Sequence, residues 1–173
     1  TLNVIADQSM DEDTVLPVDL LINDIDTPLG DLEISVESGD LSIVPVFGYW
    51  IEGEGGQRTL FIQPARDRHG LLSFTVTVGD GQYTATRTFG LTINPTNDPP
   101  VAVNDHARVF NAPSINIGVL ANDWDMDRDA LQVVSVSSGA YGAASVNSDN
   151  TIRYLMPAGF AGTDRSEERR VGK

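Results

Sequence analysis

The chain has 173 residues, a formal charge of −14 and a pI near 4.2, which makes nucleic acid and anionic membrane poor partners and divalent cations good ones. Cysteine is absent, so neither a disulfide framework nor a thiolate metal site is available, and no apolar run is long enough to insert into a membrane. The length allows one large or two small domains, and with Thr1 first and no leader-like segment after it, the expectation is a mature or mid-protein fragment.

From the N-terminus onward the apolar pattern has period two. Leu16, Val18 and Leu20 alternate with Val15, Pro17 and Asp19; Leu32, Ile34, Val36 and then Phe74, Val76, Val78 repeat the habit. Thr84, Thr86 and Thr88 oppose Ala85, Arg87 and Phe89 and run into Leu91 and Ile93. Such alternation gives strands with one buried and one wet face. The predicted strands of the first module are A near 3–10, B 14–22, C 31–37, D 41–47, E 58–63, F 71–78 and G 82–94. Turn residues separate them, with Gly53-Glu54-Gly55-Gly56 as a hairpin tip and Gly79-Asp80-Gly81 as another turn. No stretch carries a helical stripe of useful length. Short strands at roughly ten-residue spacing predict an all-β sandwich.

Pro95 through Pro100 form a linker; Pro99 and Pro100 cannot donate to a ladder and stiffen the connection. Across it the sequence repeats. LLINDIDTPLGDLEI (20–34) aligns without a gap to VLANDWDMDRDALQV (119–133), an offset of 99 residues, so Asn23, Asp24 and Asp26 fall on Asn122, Asp123 and Asp125. Phe61-Ile62-Gln63-Pro64-Ala65 likewise matches Tyr154-Leu155-Met156-Pro157-Ala158. The expected domains are a first module over 1–96 and a second over 97–164 that holds strands A to E and lacks F and G. Two missing core strands predict marginal stability for the second module. Residues 165–173, RSEERRVGK, hold the only lysine and three of the ten arginines, whereas residues 1–164 hold seven Arg, no Lys and 23 acids. That string is similar to a translated sequencing adapter and is expected to be a non-native tail.

The segments Asp7-Gln8 through Asp11-Glu12-Asp13-Thr14, the Asn-Asp-x-Asp loops, Val78-Gly79-Asp80-Gly81 and Asn97-Asp98-Pro99-Pro100 before Val101-Ala102-Val103-Asn104-Asp105 carry a resemblance. Together and in order they resemble the cadherin-like (Ig-like) tandem repeats of large bacterial surface and adhesin proteins. The resemblance covers essentially residues 1–164. It implies seven-stranded Greek-key β-sandwich modules, export to an extracellular or cell-surface location, Ca2+ between consecutive modules and no enzymatic activity. It implies neighbouring repeats of the same chain as partners, with a cell-surface protein or glycan as a possible ligand. Asn111-Ala112-Pro113 stands in the second module where the first has Glu12-Asp13-Thr14, which puts a calcium site at the far end of module two in doubt.

If seven strands alternate in direction, the A–B and E–F loops and the exit of G share one end, and the B–C and F–G loops share the other. The expected junction ligands are then Glu12, Asp67, Asn97, Asp98, Asp123 and Asp125, and the expected half-site at the other end of module one is Asp24, Asp26 and Asp80. Calcium takes six to eight hard oxygens, which carboxylates, Asn and backbone carbonyls supply, whereas magnesium demands a tighter octahedron. Filling such sites would stiffen a row of modules in millimolar extracellular calcium.

Asp and Asn also cap their own turns, which explains one isolated loop but not a gapless repeat. Asp127 and Asp129 have no acidic counterpart in module one and read as solvated loop acids. Asp125-x-Asp127-x-Asp129 imitates the start of an EF-hand loop, but Ala130 stands where its glycine belongs and no Glu follows. His69 beside Asp67 on one loop is a weak dyad, and no nucleophile elbow is present. The alternative function is a carbohydrate- or protein-binding accessory module of a secreted protein, using Tyr49, Trp50 and Tyr83; an exposed coplanar aromatic pair would favour it.

Overall fold

Period-two sequences form strands here as expected, and the described residues contain no helix. This computed structural model describes residues 1–110 and 112–172; Asn111, part of the segment set against Glu12–Thr14, and Lys173, the end of the tail, lie outside the described residues. The chain divides into two units, Thr1–Thr96 and Asn97–Lys173.

In the first unit the strands are β1 (Gln8–Asp11), β2 (Leu16–Leu21), β3 (Glu33–Ser38), β4 (Tyr49–Glu54), β5 (Gln57–Ile62), β6 (Gly70–Gly79) and β7 (Thr84–Asn94). They build two sheets, β1-β7-β6-β3 and β2-β5-β4. All neighbours are antiparallel except β1, which runs parallel to β7 from Gln8↔Leu91 to Asp11↔Asn94. The predicted first strand is split between the sheets. Leu2 bridges Ile22 beside β2, the chain then crosses, and Asp7 Oδ1 accepts the Gly90 amide (2.7 Å) where β1 joins β7.

The alternating apolar residues, joined by Leu60 and Ile62 of β5, meet between the sheets. Val18, Leu20, Leu60, Ile62, Phe74, Val76, Val78, Phe89, Leu91 and Ile93 are buried, and Leu32, Ile34 and Val36 pack against them. Phe74 and Phe89 are stacked, with ring centroids 5.8 Å apart. Outside, Thr75 and Thr77 pair with Thr88 and Thr86 through hydroxyl contacts of 3.1 Å each.

One strand is displaced. Residues 41–47, expected as strand D, form turns, and the strand is β4 at 49–54. Asp40 holds the turn: its Oδ1 accepts the Ser42 amide (2.8 Å) and hydroxyl (2.6 Å), and its carbonyl accepts the Val44 amide (3.0 Å). These local bonds hold the Asp40 carboxyl below its usual range, the Ser42 hydroxyl foremost. Pro45 could not donate to a ladder. The expected hairpin tip at 53–56 is present, and Gly53 (φ 98°) and Gly55 (φ 62°) take the left-handed conformations it needs.

The second unit holds β8 (Ser114–Ile117), β9 (Gln132–Val136), β10 (Ala143–Val146), β11 (Ile152–Leu155) and β12 (Glu168–Val171). Its sheet β10-β11-β8 has the order of β4-β5-β2, and β12 pairs antiparallel with β9 as β6 pairs with β3. Two expectations are corrected. Residues set aside as a tail form a short strand in the place of F. No strand A forms among the described residues before β8, where Val101 only bridges Trp124. The physical reason is that β1 of the first unit lies on β7, and the second unit has no strand in that place among its described residues. Its core is accordingly small: Val119, Val133 and Ile152 are buried, with Ile117, Leu120, Val136, Ala144 and Val146 packed around them.

Candidate functional site

The loop after β2 in the first unit is built on Asp24, whose Oδ1 accepts the amides of Asp26 (3.3 Å) and Thr27 (3.0 Å). Across the same end, Asp80 Oδ1 accepts the amides of Gln82 (2.7 Å) and Tyr83 (2.6 Å) in the β6–β7 turn. One carboxylate oxygen each of Asp24, Asp26 and Asp80 lies within 4.8 Å of the others. The Thr27 amide foremost holds the Asp24 carboxyl below its ordinary value, with the nearby Thr1 amino group contributing; the Tyr83 and Gln82 amides do the same for Asp80, against the opposing charge of Asp24. Thr1 is also tied down, its amino group donating to the Asn23 carbonyl. Asp24 and Asp80 are thus ionised at neutral pH, and all three carboxylates are crowded. Among the described residues no Arg or His side chain pairs with them. Such a hard-oxygen set suits a divalent cation.

At the opposite end of this unit Glu12 and Asp67 have different close partners. Glu12 is buried (2% exposed) and fully engaged: its Oε1 accepts the Thr96 amide (2.8 Å), and its Oε2 lies 3.2 Å from His69 Nδ1. It fastens the start of β2's approach to the exit of β7 and to the β5–β6 loop. Asp67 meets Asp13 instead, its amide donating to Asp13 Oδ1 (3.3 Å). Both aspartates have positive φ (58° and 54°), a conformation that short polar side chains tolerate. Sequence reasoning missed Asp13 and the Glu12–His69 contact; the adjacent Asp-Glu-Asp run shows only that one of three acids could turn inward.

In the second unit, Asn97 bonds from its side-chain amide to the Asp98 carbonyl (3.1 Å), and the Asp98 amide donates to Asp127 Oδ2 (2.7 Å). Asp123, the counterpart of Asp24, is wholly enclosed. Its Oδ1 accepts the Val103 amide (2.8 Å) and its Oδ2 lies 2.6 Å from Arg170 Nε. The Arg170 guanidinium also reaches Asp105 (3.1 Å), Glu168 (2.6 Å) and the Val119 carbonyl (3.0 Å). Asp125 is buried (8% exposed), with its Oδ1 accepting the Asp127 amide (2.9 Å). Asp123 and Asp125 therefore sit in one loop but face different partners.

Of the three aromatics named for a ligand surface, Trp50 and Tyr83 are exposed and Tyr49 is not. Tyr49 turns into the core, edge-on to Phe74 (87° between ring planes). Trp50 stacks face to face on Phe61 (5.3 Å, 13°), so each ring covers a face of the other. Trp124 is half exposed.

Two sandwich units with Ig-like strand order, each carrying the same acidic loop, define a tandem β-sandwich module protein. The chain belongs to the bacterial Ig domain family, whose model matches residues 2–93 and again 97–167. No curated protein matches it. Among solved structures, the titin domains Z1Z2 in complex with telethonin are similar at 13% identity and a TM-score of 0.45, covering 99% of this chain and 94% of that one. The M1 domain from titin is 14% identical, with a TM-score of 0.42 over 54% of this chain and 92% of that one. An endo-fucoidan hydrolase of glycoside hydrolase family 107 is 15% identical, with a TM-score of 0.43; the match covers 98% of this chain but 27% of that enzyme.

Proposed function

We propose that this chain is part of a calcium-stiffened extracellular spacer or adhesion segment of a multi-repeat bacterial surface protein. The observation that carries the reading is the convergence of Asp24, Asp26 and Asp80 from two loops onto one end of the first sandwich, with no cationic side chain among the described residues paired to them. Three carboxylates so placed repel one another, and a Ca2+ ion relieves the repulsion while tying the β2–β3 loop to the β6–β7 turn. Calcium held by end loops makes a row of modules stiff, a mechanical role that needs no catalytic group. Membership in the bacterial Ig domain family supports placement at the cell surface. The remaining ligands of the reading are Glu12 and Asp67 in the first unit and Asn97, Asp98, Asp123 and Asp125 in the second. Glu12 and Asp123 are the weakest of these, since each already has close polar partners in its own unit.

Calcium at about 1 mM should raise the melting temperature of the first unit and a chelator should reverse the rise. Asp24→Asn with Asp80→Asn should abolish it, because both variants keep the oxygens that cap the turns and lose only the charge. Identical melting of the unaltered chain with calcium and with chelator would dismiss the site.

A further inference from the structure

The loop Asp125–Asp129 of the second unit holds a feature the spacer reading leaves unexplained. One carboxylate oxygen each of Asp125, Asp127 and Asp129 lies within 4.8 Å of the others. Asp125 is buried, being 8% exposed, and the loop is wound about it. Its Oδ1 accepts the amides of Asp127 (2.9 Å) and Asp129 (3.4 Å), and its main-chain carbonyl accepts the Arg128 amide (3.1 Å). Its other oxygen, Oδ2, is buried and has no hydrogen-bond partner among the described residues. Gly172 walls it in so closely that a Cβ there would lie 2.5 Å from Oδ2 and 3.6 Å from the Asp129 Cβ, which puts Oδ2 on the side of the loop where the Asp129 side chain springs. A buried carboxylate oxygen with no donor is costly unless something cationic meets it. The neighbouring Asp123 differs in having a cation beside it: its Oδ1 accepts the Val103 amide, and its Oδ2, also without a hydrogen bond, lies 2.6 Å from Arg170 Nε in an ion pair.

We infer that Asp125, Asp127 and Asp129 form a divalent-cation site contained within the second unit, with Asp125 Oδ2 as its inner ligand. Its ion belongs to the hard, oxygen-seeking class, with calcium the best match to a loop of carboxylates and carbonyls. The site shares Asp125 with the spacer reading but needs none of its other ligands. Asp123 is then a structural partner of Arg170, and the two acids that sequence reading gave to solvent, Asp127 and Asp129, are ligands.

Trp124 precedes Asp125 directly, so a bound terbium ion should be excited through its indole. The full chain, freed of metal, is titrated with Tb3+ and then with competing Ca2+. The expected result is an emission that Trp124→Phe removes, that calcium displaces, and that Asp129→Asn weakens about 10-fold or more in apparent affinity. Asp129→Asn keeps the main-chain amide that reaches Asp125, so the loop should survive, as the Trp124 fluorescence of the variant without metal would show. Asp24→Asn with Asp80→Asn should leave this emission unchanged while removing the calcium response of the first unit, so the two sites fail or stand separately. Absence of any Trp124-dependent emission, or emission indifferent to Asp129→Asn, would overturn the inference.

Discussion

The two units carry the same Asn-Asp-x-Asp loop and neutralise it in different ways. In the first, Asp24 stays at the surface, capped by main-chain amides and facing Asp26 and Asp80. In the second, the equivalent Asp123 is sealed under Arg170, while Asp125 turns inward with one oxygen unsatisfied. One motif therefore gives an open three-acid cluster in one setting and a buried ion pair in the other. The deciding element lies far away in sequence: the β6–β7 turn supplies Asp80 to the first loop, and β12 supplies Arg170 to the second. The supporting cores differ as well, fifteen buried apolar residues against three among the described residues.

Five single substitutions and one added second change sharpen this contrast, and the two tryptophans, Trp50 and Trp124, report one unit each. Removing Arg170 should do most damage. Arg170→Ala leaves Asp123 enclosed without its cation, a loss of about 3–5 kcal/mol, and should unfold the second unit while the Trp50 signal stays native. Adding Asp123→Asn should recover part of it; no recovery would mean that Arg170 acts through packing. Next come matched core truncations. Ile152→Ala and Ile62→Ala each cost about 2–5 kcal/mol, but the first should abolish the cooperative unfolding of its unit and the second should only lower a melting temperature. Equal outcomes would show that the smaller core is supported by something other than Val119, Val133 and Ile152.

A pH effect of intermediate size should separate the units. Asp164 accepts the Tyr154 hydroxyl (2.5 Å) and the amides of Ala140, Tyr141 and Gly142, and the Tyr154 bond above all holds its carboxyl well below the usual carboxylate range. A depressed carboxyl gives stability that is complete above the unfolded value and is lost as pH falls through the folded one. The Trp124 signal should therefore weaken below about pH 4, and Asp164→Asn should flatten that dependence without moving Trp50. Burial and the same contact push the Tyr154 phenol up to about 12, so it remains a donor across this range. The smallest change should come on the wet face of the first unit, where Thr88→Ala removes the Thr75 hydroxyl contact for about 0.2–1 kcal/mol, read as a slight fall in melting temperature.

Much of this was legible in the sequence. Period-two alternation located β2, β3, β6 and β7 within two residues, because each buries one face in a sandwich. Strand alternation alone also brought Asp80 to the loop of Asp24 and Asp26. The D strand lies elsewhere because Leu41, Ile43 and Val44 have strand character but the side chain of Asp40 offers the backbone nearer partners. The inward turn of Glu12 could not be read, since nothing local distinguishes it from Asp11 and Asp13. Nor could the pairing of Arg170 with Asp123, which requires a contact across 47 residues in a segment whose composition looked foreign.

The parallel pairing of β1 with β7 has a mechanical consequence. The chain enters β1 beside Leu91 and leaves β7 beyond Asn94, so tension on the two ends of this unit pulls the paired strands along their axes in opposite directions. The bonds between them are then strained all together rather than opened one after another, as a seam resists being slid where it would yield to being peeled.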